Sequence, residues 1–304
     1  AIDSIPASAP EEMLDDLERQ FEDFGGDRPI IALALTWCRD NLPDPGPQCL
    51  VHGDFRMGNL MVANGRVSGV LDWELAHFGD YHEDLAWGCV GPWRFGNYDH
   101  PAFGLASLDR YFASYEAAGG APIDRERFRY WLIHRTIWWA LGCLQMGAVW
   151  RDHIDRSLER AAIARRTIEN EIDLLLLLEQ EMPDAKTTRI ALSPSDDNAP
   201  HGETSAAELV TAVGEWIAAE VKPRAEGRNR FLAAVAINAL NIAARDMDDP
   251  PPVHDRPLCD AIRAGETGLT TPGLLDDLRR KALRKGANDA PKYAGLKTAM
   301  EKWT

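Results

Sequence analysis

The sequence predicts a mainly α fold with a small β component (α+β), for three reasons. Apolar side chains recur at helical spacing over most of the 304 residues, which is the pattern of helices that bury one face. Two short runs of β-forming residues flank Asn64-Gly65, a dipeptide that favours a two-residue hairpin turn. From Pro183 to His201 the chain is polar, contains Pro and lacks periodicity, which predicts a linker. We therefore expect an α+β region over residues 1–182, a linker over 183–202 and a helical region over 203–304.

The N-terminal elements are expected in the order helix, helix, hairpin. A helical pattern runs from about Glu11 to Phe24, with acidic residues early, where the helix dipole favours them. A second helix is expected to begin with Asp27 as its cap and Pro29 in its first turn, and to end near Asn41. Short strands are predicted over Cys49 to His52, Asn59 to Ala63 and Arg66 to Leu71.

The rest of the chain is expected to be helical. In the first region, the predicted helices cover residues 80–90, 101–118, 124–150 and 153–181. The third of these is rich in Trp, which at helical spacing usually packs in a core. After the linker, helices are predicted over Ser205 to Val221, Arg224 to Met247, Pro257 to Ala264, Thr271 to Lys285 and Pro291 to Trp303.

Composition and charge argue against several classes of protein. The five cysteines are scattered without a Cys-x-x-Cys pair, which argues against a disulfide framework and a zinc site. No apolar run approaches the roughly 18 residues of a membrane span, and no signal peptide is recognisable, so a cytoplasmic location is expected. The net charge is −15, and residues 1–202 carry the whole excess, with 18 Lys+Arg against 33 Asp+Glu. Such a surface repels phosphate backbones, so neither nucleic acid nor a membrane is an expected partner.

One stretch has the spacing of a phosphoryl-transfer site: His52-Gly-Asp-Phe-Arg-Met-Gly-Asn, followed by Leu71-Asp-Trp-Glu. In kinase-type catalysis an Asp orients the acceptor hydroxyl, an Asn five residues later holds a metal ion, and a second Asp holds the metal that bridges the nucleotide phosphates. Asp54, Asn59 and Asp72 stand in that order. A hairpin between Asn59 and Asp72 would bring two oxygen ligands together, and such ligands suit Mg²⁺.

These two motifs, together with Gly79-Asp-Tyr-His-Glu-Asp-Leu-Ala, resemble those of the aminoglycoside phosphotransferase and choline kinase-like family, in particular its branch associated with acyl-CoA dehydrogenases. The resemblance covers roughly residues 10–182 and implies the C-terminal lobe of a protein-kinase-like fold. It also implies an ATP-dependent, Mg²⁺-requiring enzyme that phosphorylates a small hydroxylated metabolite, with a hydroxyacyl-CoA as one candidate and an acyl-CoA dehydrogenase as a candidate partner. Residues 203–304 resemble an uncharacterised helical domain found with this branch, which implies no activity.

The resemblance also implies residue roles. Asp54 is the expected catalytic residue, and Asn59 and Asp72 are the expected metal ligands. Asp80 and Asp84 match family positions that brace the catalytic loop or cap a helix. The family usually has Pro after the Gly79-Asp80 pair, whereas Tyr81 stands here.

Other residues near the motifs have less specific interpretations. Arg56 and Glu74 are candidates for phosphate or substrate contacts, as are Trp93 and Arg94 in the loop that follows. His52 is better explained by loop bracing than as a general base, because an Asp already fills the acceptor-facing role. On the long helix, Arg129, His134, Arg135 and Trp138 are better explained by core packing than by substrate binding.

Two alternatives to the kinase interpretation stay open. A hydrolase metal cluster could be built from His52, Asp54, His77, Asp80 and His82, although it leaves the Asn of the motif unexplained. A noncatalytic scaffold or substrate-binding module could also use the same fold.

The parts of a kinase that hold the nucleotide are not recognisable in this sequence. Gly25, Gly26, Gly46 and Gly53 are the only glycines before Asp54, so no Gly-rich loop precedes it. Lys186 is the only lysine in residues 1–202, so no lysine precedes the motif to pair with the phosphates. We therefore expect the nucleotide-binding N-terminal lobe to come from the rest of a longer protein or from a second chain.

Overall fold

The computed structural model describes residues 5–46, 48–155, 160, 163–182, 189–190, 206–250 and 254–304. Within these ranges the protein is mainly helical, with two antiparallel pairs of short strands, so the predicted fold class is confirmed. In the same ranges, no helix has the length and apolar character needed to cross a membrane. Most of the predicted linker, including Lys186, lies outside the described residues.

The first region combines helices with short strands around the motif. Its elements are α1 (Pro10–Gln20), α2 (Pro29–Asp40), β1 (Cys49–Val51), β2 (Leu60–Ala63), β3 (Arg66–Val70), β4 (His77–Gly79), α3 (His82–Trp87), α4 (Leu108–Ala117), α5 (Arg125–Arg151) and α6 (Thr167–Leu178). Strands β2 and β3 form the predicted hairpin, in which Asn64 and Gly65 both have positive φ, at 53° and 72°, as a tight two-residue turn requires. Strand β1 pairs with β4, so the two ends of the segment from His52 to Ala76 lie next to each other. This segment contains Asp54, Asn59 and Asp72.

The described part of residues 203–304 is helical and packs on the first region. Its helices are α7 (Ala206–Trp216), α8 (Gly227–Asp248), α9 (Arg256–Arg263), α10 (Leu274–Asp289) and α11 (Ala294–Trp303). Helices α7 and α8 lie against each other, α9 lies against α2, and α10 and α11 lie against α6. A buried ion pair between Arg279 and Glu179, 2.6 Å long, joins α10 to the end of α6. Helices α9, α10 and α11 thus share an apolar core with the first region, and the independence of residues 203–304 as a domain stays a prediction.

Several predicted helix boundaries are wrong, and three of the predicted starts have a clear physical reason. Residues 101–107 form turns instead of the start of a helix, because Gly104 has φ +71° and Ser107 caps α4 by accepting a hydrogen bond from the Arg110 amide. Asp27 does not cap α2, because its carboxylate contacts His254 and Arg28 occupies the cap position. The helix predicted from His153 does not begin there, since His153 has φ +60°. Part of that helix, residues 156–159 and 161–162, lies outside the described residues.

Helix α5 runs through the core and carries a buried histidine. His134 is 1% exposed and contacts the rings of Tyr130 and Trp131. Burial, reinforced by the neighbouring Arg135 guanidinium, lowers the pKa of His134 from 6.5 to about 3. The imidazole is therefore neutral in the folded protein at ordinary pH.

Replacing His134 with Leu should make the fold less sensitive to acid. Between pH 6.5 and about 3, the unfolded chain protonates this histidine and the folded protein does not, so wild-type stability falls as the pH drops through that interval. Between pH 7 and 5 the loss amounts to about 2 kcal/mol. Urea unfolding at pH 7 and pH 5 measures the free energy of unfolding. The decrease between the two pH values should be about 2 kcal/mol smaller in H134L than in the wild type. The same pH dependence in both proteins would contradict the assignment.

Candidate active site

The predicted catalytic loop, which begins at His52, is fastened to α3 by one carboxylate. Asp84 accepts hydrogen bonds from the backbone amides of His52, at 2.7 Å, and Gly53, at 3.0 Å. Gly53 has φ +82°, and a Cβ at this position would lie 2.6 Å from the Leu75 carbonyl oxygen. Glycine is therefore required here, because a side chain would meet both unfavourable backbone geometry and a clash.

His52 joins this loop to the end of the hairpin. Its Nδ1 accepts a hydrogen bond from the Asp54 amide at 3.1 Å, so Nε2 carries the proton and donates to the Leu71 carbonyl at 2.7 Å. The Leu71 amide in turn donates to the Asn59 carbonyl at 2.8 Å. Both nitrogens of the buried ring are thus used to hold together the two segments that carry the motif.

The carboxylate of Asp54 is oriented by three side chains. Its Oδ1 accepts hydrogen bonds from the Trp87 indole at 2.6 Å and from Arg56 Nε at 3.1 Å. Its Oδ2 accepts one from Asn59 Nδ2 at 2.7 Å. The side chain is 18% exposed, so the carboxylate is fixed in direction and still open to solvent. Such preorganisation is what a residue that orients an acceptor hydroxyl needs.

Asn59 and Asp72 have the chemistry that a magnesium ion requires. The buried Asn59 amide commits its nitrogen to Asp54, which directs its Oδ1 away from that carboxylate. Asp72 has the left-handed conformation, with φ 61° and ψ 59°, caps no backbone amide and is exposed. An amide oxygen and an open carboxylate are hard ligands of the kind Mg²⁺ binds, so this pair fits the ion. Within the described residues no group of three or more His, Cys, Asp and Glu could hold a metal.

A buried arginine on α5 holds the backbone of the catalytic loop. Arg135 donates to the Gly53 carbonyl at 2.7 Å and pairs with Glu83 at 3.1 Å, with both side chains no more than 3% exposed. Its guanidinium lies 4.3 Å from the centre of the Trp138 ring, and Glu83 also contacts His77. Arg135 is therefore buried beneath the loop, and Trp138 is half-buried beside it.

The remaining candidate contact residues differ in their distance from Asp54. Arg56 stacks 4.9 Å from the centre of the Trp93 ring, so these two residues are next to the Asp54 carboxylate. Arg94 is instead held by the Cys89 carbonyl, to which it donates two hydrogen bonds of 3.0 and 2.7 Å. Glu74 is exposed and lines a cleft that is also lined by Gly53, the residue before Asp54.

Asp80 and the nearby histidines have other partners. Asp80 accepts hydrogen bonds from His82 and from Arg127 and Trp131 on α5, at 2.8 and 2.9 Å for the last two. Although burial acts to raise it, these bonds hold the pKa of Asp80 well below its usual range. His77 is bound to Glu83. The side chains of the alternative hydrolase cluster therefore do not converge on one point.

Two residues of this site were not assigned to it from the sequence. Trp87 lies three positions after Asp84 in a predicted helix, which places both on one face. That spacing could have indicated a shared role in holding the loop. Arg135 gave no comparable signal, because its partner Gly53 lies 82 positions away in the chain.

Replacing Arg135 with Met should destabilise the protein by about 3 to 5 kcal/mol, because it removes the buried guanidinium that neutralises the Glu83 carboxylate. Chemical denaturation measures this loss directly. The matched control is Arg125→Met, which breaks an exposed ion pair with Asp109 and should cost no more than about 1 kcal/mol. Equal effects of the two substitutions would refute the role given to Arg135.

Residues 6–131 match the model of the phosphotransferase enzyme family. The resemblance predicted from the motifs is thereby confirmed for this segment.

Curated relatives match shorter stretches of the chain. Acyl-CoA dehydrogenase family member 10 of Mus musculus is 32% identical over 112 residues, which are 33% of this chain and 10% of that protein. Acyl-CoA dehydrogenase family member 11 of Rattus norvegicus is 50% identical over 61 residues, 19% of this chain and 8% of that protein. Hygromycin-B 4-O-kinase of Escherichia coli is 38% identical over 52 residues, 17% of this chain and 14% of that protein. The chain thus spans a small part of the length of each relative. No solved structure matches it significantly.

Proposed function

We propose that this chain is the acceptor- and metal-binding part of an ATP-dependent O-phosphotransferase that acts on a small hydroxylated metabolite. The observation that carries the proposal is the Asp54 carboxylate, held by three donors beside Asn59, in a segment that matches a phosphotransferase family. A relative named as a 4-O-kinase supports transfer to a hydroxyl group. The relatives named as acyl-CoA dehydrogenase family members make a hydroxyacyl-CoA a candidate acceptor and an acyl-CoA dehydrogenase a candidate partner.

The residues of the site take distinct parts in the proposed reaction. Asp54 orients the acceptor hydroxyl and takes its proton while the hydroxyl oxygen bonds to the γ-phosphorus and the bond from phosphorus to the ADP oxygen breaks. Asn59 and Asp72 would hold Mg²⁺, which offsets the negative charge of the phosphates when it is bound. Arg56 donates a hydrogen bond to the Asp54 carboxylate. From this position its guanidinium can bind the transferred phosphoryl group.

An exposed apolar surface supports the proposal that a nucleotide lobe is added. This hairpin surface consists of Met61, Val62, Val67, Leu71, Trp73 and Leu75, which are between 43% and 66% exposed. Val62 and Val67 pair directly across the hairpin, and the later members flank Asp72 in the chain. Apolar surface grouped in this way usually marks an interface. A lobe that covers it would bring a nucleotide next to Asp72, whether it belongs to the same polypeptide or to a second chain.

Replacing Asp54 with Asn should lower kcat by about 10²- to 10⁴-fold, because an amide cannot take the hydroxyl proton. ADP release with a panel of hydroxylated acceptors, in the assembly that includes the nucleotide lobe, measures the effect. Asp99→Asn changes an exposed loop carboxylate and should leave the rate unchanged. If D54N keeps wild-type turnover, the catalytic role is wrong. If the wild-type assembly releases no ADP with any acceptor, the scaffold alternative is favoured.

Glu in place of both Val62 and Val67 should weaken Mg·ATP binding by the assembly at least about tenfold, because charges on the hairpin surface oppose docking of the nucleotide lobe. Isothermal titration with Mg·ATP and a thermal melt separate lost docking from lost folding. Val213→Glu, at a valine on α7 that is 48% exposed, is the matched control. Wild-type nucleotide affinity in the double variant would show that the lobe docks elsewhere.

A further inference from the structure

A cavity of about 480 Å³ lies between the loop that follows α3 and the C-terminal helices. Its wall is formed by residues 91–98, by the chain at the start of α6, by α8 and by residues 289–294. Neither Asp54 nor either proposed metal ligand lines it. The cavity is therefore distinct from the proposed phosphoryl-transfer site. Part of its wall is formed by the C-terminal helices.

The carboxylates in the cavity wall are already paired within the protein. Glu169 accepts two hydrogen bonds from the guanidinium of Arg166, at 3.0 and 2.9 Å. Asp289 pairs with Arg165 at 2.6 Å and with Lys285 at 2.7 Å. The charge of each acidic group is thus balanced by a neighbouring cation, which leaves these carboxylates little capacity to bind a cationic ligand.

Hydrogen-bond donors in the same wall are still available. Arg245 on α8 donates from Nε to the Asn288 carbonyl, while its Nη2 is buried without a hydrogen-bond partner in the described structure. Asn238 and Asn241 on α8 also line the cavity, as does the exposed Lys292. A buried guanidinium nitrogen without a partner is costly. An anionic group would satisfy it with a charge-assisted hydrogen bond.

Aromatic rings form the part of the wall nearest to the catalytic loop. Trp93 lines the cavity and also stacks against Arg56, which bonds the Asp54 carboxylate. Tyr98 lines the cavity as well and donates its hydroxyl to the buried Asp173 carboxylate at 2.7 Å, so its position is fixed. The cavity wall thus includes aromatic side chains against which a planar ligand can pack.

We propose that this cavity binds a small molecule that carries a phosphate or carboxylate group beside a planar apolar part. Arg245 and Lys292 hold the anion, the amides of Asn238 and Asn241 bond its other oxygens, and Trp93 packs against the planar part. The site gives the C-terminal helices a role in ligand binding. An anionic acceptor and a separate anionic effector share this chemistry.

The site can be tested by titrating the full chain with phenyl phosphate in the presence of EDTA. Binding is detected by ¹H–¹⁵N NMR of the tryptophan indoles. The Trp93 signal is identified by its loss in Trp93→Phe. The wild type should show a saturable shift of this signal, and phenol should produce none, because it lacks the anionic group. Arg245→Gln and Lys292→Met should each weaken binding, the former by about tenfold or more. Arg230→Gln on α8 and Lys297→Met on α11, both at exposed positions, are the matched controls.

Each outcome of the titration has a definite meaning. Absence of a saturable shift, or equal affinity in Lys292→Met and the wild type, overturns the proposal. If Arg245→Gln unfolds the chain, Lys292→Met still tests the site, because Lys292 is exposed and its replacement should not affect folding. Unchanged phenyl phosphate binding in Asp54→Asn supports a site separate from the catalytic one, so the two proposals can fail independently. Phosphorylation of a bound anionic acceptor would identify the ligand as substrate, whereas binding without turnover would identify an effector.

Discussion

The candidate site depends on the hydrogen bonds from the backbone amides of His52 and Gly53 to the Asp84 carboxylate. Asp84 lies on the short helix α3, and Trp87 at the end of that helix holds the Asp54 side chain. One helix therefore fixes both the path of the loop and the direction of its carboxylate. Without Asp84, two amides of the loop would lose their partners, at a cost of about 1 to 3 kcal/mol each if they stayed buried.

Local signals in the sequence account for the elements and for the order of the site. The Asn64-Gly65 turn, the long helix α5 and the spacing of the motif residues depend on neighbours in the chain, so they could be predicted. The partners of the motif residues depend on packing between distant segments. Trp87 and Asp54 are 33 positions apart, and no periodicity indicates which carboxylate an indole will reach. Asp27 shows the same limit: it resembles a helix cap, but a histidine 227 positions away takes its carboxylate.

In the C-terminal helices, the spacing of apolar residues predicts that one face is buried, but it does not predict which helix packs against that face. Their apolar spacing indicated helices with one buried face. In the structure α9 packs on α2, α10 and α11 pack on α6, and α7 and α8 pack against each other. Through the buried Arg279 and Glu179 pair, they are joined to the region that carries the motif. They also complete the cavity that contains Arg245, so a segment with no recognisable chemistry of its own supplies half of a charged wall.

In the proposed function, Asn59 and Asp72 hold the metal ion of a phosphoryl-transfer site whose catalytic carboxylate is Asp54. The most direct test is a crystal structure of the assembly that includes the nucleotide lobe, with Mg²⁺ and a non-hydrolysable ATP analogue. We predict Mg²⁺ bound to Asn59 Oδ1 and the Asp72 carboxylate at about 2.0 to 2.1 Å, with the γ-phosphate facing Asp54. A metal and nucleotide bound elsewhere, with Asp72 still facing solvent, would contradict the account.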